Sequence, residues 1–85
     1  MRVIAELPHP DCKITLFSMN QKYVIKLEKG TFEQIYKISE LDIPEGVNGV
    51  FQLLDSEFIK TAAERFNQMR SDFTEAFKRY DNNIS

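Results

Sequence analysis

The stretch from residue 55 to residue 85 contains neither proline nor glycine, so no residue in it interrupts a helix. Its apolar side chains recur at alternating steps of three and four residues, the spacing of one helical face, at Ile59, Ala62, Phe66, Met69, Phe73, Ala76 and Tyr80. Asp55 or Ser56 can cap the first turn by accepting hydrogen bonds from its unpaired backbone N–H groups. We therefore predict an amphipathic helix from residue 55 to about residue 80, with a frayed end at residues 82–85.

A helix of this kind must bury its apolar face, and the preceding sequence supplies a sheet for it. Apolar and polar residues alternate, as in half-buried strands, in four segments: residues 2–7, 13–19, 22–28 and 31–39. Short turn sequences separate these segments: Pro8-His9-Pro10-Asp11, Asn20-Gln21 and Lys29-Gly30. Together they predict a four-stranded antiparallel meander in chain order.

Closing the chain at these turns predicts which residues face each other across the sheet. The pairs are Leu7 with Cys12, Ala5 with Ile14, Leu16 with Ile25, Val24 with Ile35, Leu27 with Phe32, and Tyr23 with Tyr36. A slip of one residue would turn a strand over and mix the two faces. The inner face and the helix then share a predicted core of Val3, Ala5, Ile14, Leu16, Ile25, Leu27, Phe32, Ile38, Ile59, Ala62, Phe66 and Met69.

The predicted fold class is α+β in a single domain, residues 1–85. It consists of a four-stranded antiparallel β-meander followed by a short helix and a long C-terminal amphipathic helix packed on one sheet face. The short helix is predicted at residues 47–54, where Val47, Val50, Phe51 and Leu54 have helical spacing, although Gly49 weakens it.

Composition excludes several classes of protein. With 11 basic and 13 acidic residues, the chain lacks the positive field of a nucleic-acid-binding protein. No apolar run approaches the roughly 18 residues that span a bilayer, and a lone cysteine, Cys12, favours a reducing compartment. No phosphate-binding loop, dinucleotide-binding motif or zinc-protease motif occurs. We expect a cytoplasmic protein without cofactor, metal, nucleic-acid partner or membrane association.

One local cluster carries reactive side chains: His9, Asp11 and Cys12. A Cys–His nucleophile needs the imidazole within hydrogen-bonding reach of the sulfur and a third group to orient it, a role that Asp11 could take. As a metal site the cluster offers at most three ligands, whereas structural zinc takes four. The interpretation that we favour is a tight connection between strands. The alternative is a small-ligand-binding protein or minor enzyme that uses this loop.

The helix is predicted to be longer than the sheet. About 26 helical residues span about 39 Å, whereas strands of about eight residues span about 26 Å. The excess length carries Phe73, Phe77 and Tyr80, and exposed clusters of aromatic rings are unusual in monomers. Either the helix bends or stops early, or a second subunit covers these rings. We expect that a second subunit covers the rings, so that the protein is a homodimer.

A second apolar row, Phe17, Val24 and Ile35, is predicted on the opposite face of the sheet. It is either a binding or dimer surface, or it is covered by the short helix or left exposed without consequence. The excess of apolar surface and the lack of catalytic motifs predict a non-catalytic protein-interaction module. We expect it to self-associate through the helix end or through this outer row, and an unknown protein is a further candidate partner.

Three strings of the sequence carry a family resemblance: residues 4–14 (IAELPHPDCKI), residues 36–40 (YKISE) and Glu64-Arg65-Phe66. In these strings the chain resembles a family of small bacterial proteins of unknown function, and the resemblance covers nearly the whole chain. It implies a bacterial, cytosolic, free-standing small protein. It implies no activity, cofactor or catalytic residue.

Overall fold

The computed structural model describes residues 1–84, which form one antiparallel sheet followed by two α-helices. The strands are β1 (Arg2–Pro8), β2 (Lys13–Met19), β3 (Lys22–Lys29) and β4 (Phe32–Ser39). A 3₁₀ turn at Glu40–Asp42 leads to the helices α1 (Val47–Leu53) and α2 (Ser56–Ile84). The strands pair in the order β1-β2-β3-β4. The predicted α+β fold, with a meander, a short helix and a long C-terminal helix, is confirmed.

The central hairpin, β2 with β3, has the predicted register. Leu16 pairs with Ile25 across it, and the connection is the two-residue loop Asn20-Gln21. Both loop residues have positive φ, 51° and 63°, which a type I′ turn requires at its two central positions. The turn chemistry and the alternating pattern therefore specify the same pairing.

The predicted register of the β3–β4 hairpin is wrong by two residues. Lys29 pairs with Phe32, so the chain turns over Gly30-Thr31 rather than over Lys29-Gly30. Gly30 has a φ of 60° as the first residue of this loop, the position at which a type II′ turn favours glycine. Tyr23 consequently pairs with Ile38 and not with Tyr36. Because the shift is an even number, no side chain of β4 changes face.

The β1–β2 hairpin also differs from the prediction. Leu7 pairs with Ile14 rather than with Cys12, because Pro8 still belongs to the strand. Further along, an irregularity between Val3 and Ala5 shifts the register by one residue, as a β-bulge does. Ile4 packs against the core as a result. The predicted core position of Val3 is wrong, since this side chain is 52% exposed.

The core lies between the inner sheet face and the two helices. Its buried apolar residues are Cys12, Ile14, Leu16, Ile25, Leu27, Ile43, Val50, Ile59, Ala62 and Phe66. The predicted core residues Ala5, Phe32, Ile38 and Met69 are partly buried against this cluster. Seven of the twelve predicted core positions are therefore buried, four are at the margin, and Val3 alone is outside it.

Helix α2 begins where the sequence predicts and ends later. The Asp55 carboxylate caps it by accepting a hydrogen bond of 2.8 Å from the Phe58 backbone N–H. The helix continues to Ile84, so the predicted fraying at residues 82–84 is wrong, and Ser85 lies outside the described residues. Its 29 residues span about 44 Å, well beyond the roughly 26 Å of the strands.

Helix α1 covers the end of the core with a completely buried Val50. Gly49 has a low helix propensity, but in the structure it allows close packing. A Cβ atom there would lie 2.7 Å from Cγ1 of the buried Ile43. The bare backbone at Gly49 therefore lets the connecting segment pack directly onto α1.

Candidate functional site

The most prominent exposed apolar feature is a row of rings on the C-terminal half of α2, which we call the aromatic stripe: Phe73, Phe77 and Tyr80. Each of the three side chains is more than half exposed, at 52%, 53% and 57%. They lie four and three residues apart, so the helix itself places them on one side. The sequence predicted this overhanging stripe, and α2 neither ends before it nor leaves it covered by its own sheet.

The rings of the stripe contact one another edge to face. The centroids of Phe73 and Phe77 are 5.0 Å apart, and those of Phe77 and Tyr80 are 6.5 Å apart, with interplanar angles of 71° and 90°. At the sheet end, Phe73 meets Phe32 at 6.0 Å and 84°. Such contacts favour defined ring orientations. The stripe is therefore an ordered continuation of the core onto the surface.

Two shallow depressions adjoin the stripe. One is lined by Phe73, Ala76, Phe77 and Tyr80. The other lies between the β3–β4 turn and α2, and Thr31, Phe32, Met69, Asp72, Phe73 and Ala76 line it. Phe73 and Ala76 belong to both, so the two depressions form one continuous apolar surface from the sheet end to Tyr80.

The outer face of the sheet offers a less continuous apolar surface than the sequence predicts. Phe17 pairs with Val24 as expected, but Val24 pairs with Lys37 rather than with Ile35. Val24 is also 92% buried, so it contributes little surface to a partner. Val3, which the bulge places opposite Phe17, and Ile35 are the exposed members of this face. They lie on the two edge strands, with two strands between them.

The thiol of the His9–Cys12 connection is buried, and its pKa is raised rather than lowered. Cys12 is 6% exposed, and burial, followed by the nearby Asp11 carboxylate, raises the pKa of its thiol above the usual value. The His9 imidazole is held by its own loop, since Nδ1 accepts a hydrogen bond of 3.1 Å from the Asp11 backbone N–H. The Asp11 carboxylate lies 3.9 Å from the same nitrogen. These contacts support the interpretation as a tight connection between strands.

We expect Cys12 to react with iodoacetamide at pH 7 at least tenfold more slowly than a free thiol such as N-acetylcysteine. A raised pKa lowers the thiolate fraction, and the thiolate is the reacting species. Mass spectrometry over a time course measures the rate. In denaturant the two thiols should react at similar rates, which controls for reagent quality. Alkylation of the folded protein faster than the free thiol would instead indicate an activated nucleophile.

A polar network centred on the buried Gln34, which the sequence patterns do not reveal, joins the sheet to α2. Gln34 is 7% exposed, and its Nε2 donates to the Ala62 carbonyl at 2.9 Å. Its Oε1 accepts from the Tyr36 hydroxyl at 2.9 Å and from Arg65 Nη1 at 3.0 Å. Arg65 Nη1 also donates to the Tyr36 hydroxyl at 2.8 Å. Every member has a partner within the network, so the network joins α2 to β4.

Tyr23 and Tyr36 do not face each other as predicted, because the two-residue shift of β4 pairs Tyr23 with Ile38. Tyr36 instead packs edge to face on Phe58, with centroids 5.2 Å apart. The packing of α2 on β4 places Arg65 within hydrogen-bonding reach of Gln34. The sequence could have indicated Gln34 as a member of the network, because a glutamine on an otherwise apolar strand face needs a hydrogen-bond partner when it is buried.

Within residues 1–84, no group of three or more His, Cys, Asp or Glu side chains is arranged to hold a metal ion. None of the helices in this part of the chain is long and apolar enough to cross a membrane. The chain matches no protein-family model, no curated protein and no solved structure. Any functional conclusion therefore depends on the surfaces described above.

Proposed function

We propose that this chain is a non-catalytic, cytoplasmic protein-interaction module that self-associates as a homodimer through the aromatic stripe of Phe73, Phe77 and Tyr80. The observation that carries the proposal is the continuity of three half-exposed, mutually packed rings with the core. Monomeric proteins rarely expose connected apolar surface of this kind. Aromatic side chains are also enriched where protein interfaces are most strongly desolvated.

The area of the stripe indicates a weak dimer. A buried aromatic side chain covers roughly 150–250 Å², so the exposed halves of three rings amount to roughly 300 Å² per copy. Covering both stripes would contribute about 15 kcal/mol at 25 cal/mol per Å². Association itself costs an estimated 4–15 kcal/mol or more. The surplus is small, and about 600 Å² in total is below the roughly 1,200 Å² of a stable interface. We therefore expect a dimer whose population depends on concentration.

The outer sheet face is a poorer candidate for the same role. Its exposed apolar residues, Val3 and Ile35, are on opposite edges of the sheet, and Lys37 stands directly beside Val24. The stripe has no charged residue between its rings on the same face. Substitutions in the two surfaces can be compared directly, because the side chains that would be replaced are almost equally exposed.

The test is the molar mass in solution, measured by light scattering and sedimentation equilibrium over a concentration series. We expect the wild type to approach twice its 10.0 kDa monomer mass at high concentration. The double variant Phe73→Ser, Phe77→Ser should remain monomeric. The matched control is Val3→Ser, Ile35→Ser, since its residues, at 52% exposed each, are as exposed as the 52% and 53% of the stripe pair.

The outcomes lead to different conclusions. If the stripe variant is monomeric and the control still dimerises, the proposal holds. If the control loses dimerisation and the stripe variant keeps it, self-association uses the outer sheet face and the stripe assignment is wrong. A wild type that is monomeric at every concentration refutes self-association itself. Circular dichroism of both variants verifies that helix content is retained.

A further inference from the structure

Strand β4 has one side of its backbone free. Its two-residue turn makes Lys29 and Phe32 the first hydrogen-bonded pair of the β3–β4 hairpin, so Phe32 and every second residue after it bond to β3. The N–H and C=O groups of Glu33, Ile35 and Lys37 therefore point away from the sheet. In the part of the chain that the structure describes, no other backbone group bonds to them. This row of donors and acceptors matches the backbone of an extended peptide.

A groove of about 430 Å³ adjoins the free side of β4, since Ile35 and Lys37 belong to its lining. The lining also includes apolar side chains from three elements: Tyr36 and Ile38 of β4, Leu53 of α1 and Phe58 of α2. A peptide paired with β4 places every second side chain on the inner face of the sheet, the face of Tyr36 and Ile38. Free backbone groups beside pockets for alternate side chains are the means by which proteins bind extended peptides at a sheet edge.

The charges on this side of the molecule are unbalanced. The Glu33 carboxylate lies 3.7 Å from Lys26 Nζ, so this acidic group is paired within the sheet. Among the described residues, no carboxylate forms an ion pair with Lys37 or with Arg65, and Arg65 donates to the neutral Tyr36 hydroxyl instead. A carboxylate on the peptide residue opposite Lys37 would compensate for this positive charge.

We propose that β4 binds an extended segment of another protein as a fifth, antiparallel strand of the sheet, with an acidic residue opposite Lys37 and an apolar residue on each side of it. Side chains alternate between faces, so the acidic residue shares the outer face with Lys37 and its two neighbours point to the groove. The antiparallel direction continues the arrangement of the four strands. The proposal is independent of the homodimer, because no residue of the aromatic stripe lines this groove.

Fluorescence anisotropy with labelled synthetic peptides tests the proposal. Three capped peptides have the length of β4, eight residues, with glutamate near the centre and threonine at the other outward positions. Their inward positions carry valine in one peptide, leucine in the second and phenylalanine in the third. We expect saturable binding of at least one peptide, and about tenfold weaker binding of its counterpart with lysine in place of glutamate. If none of the three binds up to the limit of its solubility, the proposal is wrong.

A proline at position 35 tests whether the peptide pairs with the backbone of β4. Ile35→Pro removes an N–H group that points away from the sheet, so the pairing with β3 is retained. Peptide binding should weaken about tenfold through the lost hydrogen bond. Ile35→Val is the matched control and should bind as the wild type does, and circular dichroism verifies the fold of both variants. Equal affinities would show that the peptide does not pair with β4 and would refute the proposal.

Exchanging the charges tests the position of the acidic residue without altering the backbone. Lys37→Glu should reverse the preference, so that the lysine-containing peptide binds more tightly than the glutamate-containing one. An unchanged preference would refute the contact with Lys37 and with it the proposed partner.

Light scattering of Ile35→Pro tests the remaining occupant, a second copy of this chain. We expect this variant to self-associate as the wild type does. If it alone becomes monomeric while Phe73→Ser, Phe77→Ser still dimerises, β4 pairs with a second copy and the proposal of a different partner is wrong. Peptide binding that persists in a monomeric Phe73→Ser, Phe77→Ser variant would show that the two surfaces act separately.

Discussion

Replacing Phe66 by alanine should lower the free energy of unfolding by roughly 3–5 kcal/mol. This side chain is 1% exposed and is the largest of the fully buried ones, in the seam between α2 and the sheet. Truncation removes the transfer free energy of the ring and leaves a cavity that a close-packed core only partly fills. For a domain of 85 residues, this loss is a large fraction of the total stability.

Urea denaturation followed by circular dichroism measures the effect, at a protein concentration at which the chain is monomeric. Phe77→Ala is the matched control, because it is the same substitution on the same helix at a position 53% exposed. We expect it to cost less than about 1 kcal/mol, as surface substitutions usually do. Equal losses for the two variants would mean that Phe66 is not the centre of the helix–sheet seam.

Replacing Gln34 by leucine should lower the free energy of unfolding by roughly 1–3 kcal/mol, although the two side chains are similar in size. Leucine removes the donor to the Ala62 carbonyl and the acceptor of both Tyr36 and Arg65. The range extends down to about 1 kcal/mol because the contact between Arg65 and Tyr36 is exposed. Water can therefore replace some of the hydrogen bonds that the substitution removes.

Tyr36→Phe separates the contribution of the network from that of its individual bonds. It removes one hydroxyl and retains the hydrogen bond from Gln34 to Ala62, so it should cost about 0.5–1.5 kcal/mol. Denaturant melts of the single and double variants give the coupling free energy between positions 34 and 36. A Gln34→Leu variant as stable as the wild type would show that the network specifies the position of α2 without stabilising the fold.

The fold was predictable because several independent patterns agree. The two-residue periodicity identifies four strands, the three-and-four spacing identifies α2, and Asn20-Gln21 sets the register of the central hairpin. Next to their turns the two wrong registers share one cause, whereas the bulge in β1 adds a separate one-residue shift that moves Val3 to the other face. A shift of two residues keeps every side chain on its face, so the apolar pattern cannot distinguish the alternatives. Only the exact turn positions, Gly30-Thr31 and the loop after Pro8, decide them.

The candidate site was only partly predictable. The overhang of Phe73, Phe77 and Tyr80 follows from comparing helix and strand lengths, which sequence alone provides. In the outer row, the predicted pairing of Val24 with Ile35 was wrong because it depends on the β3–β4 register, which the turn shifts by two residues, although both residues keep their predicted face. The involvement of Arg65 with Gln34 was not predictable, since it joins residues 31 positions apart through the packing of α2 on β4. No local pattern encodes such a contact.

The bulge in β1 makes the two margins of the sheet unequal as templates for strand addition. Sheet order leaves β1 and β4 at the margins, each with one side of its backbone unpaired within the sheet. The irregularity between Val3 and Ala5 breaks the even spacing that a docking strand requires, and bulges protect natural sheets from edge-to-edge aggregation. The eight residues of β4 pair with β3 without a break. Unwanted polymerisation through the sheet would therefore begin at β4.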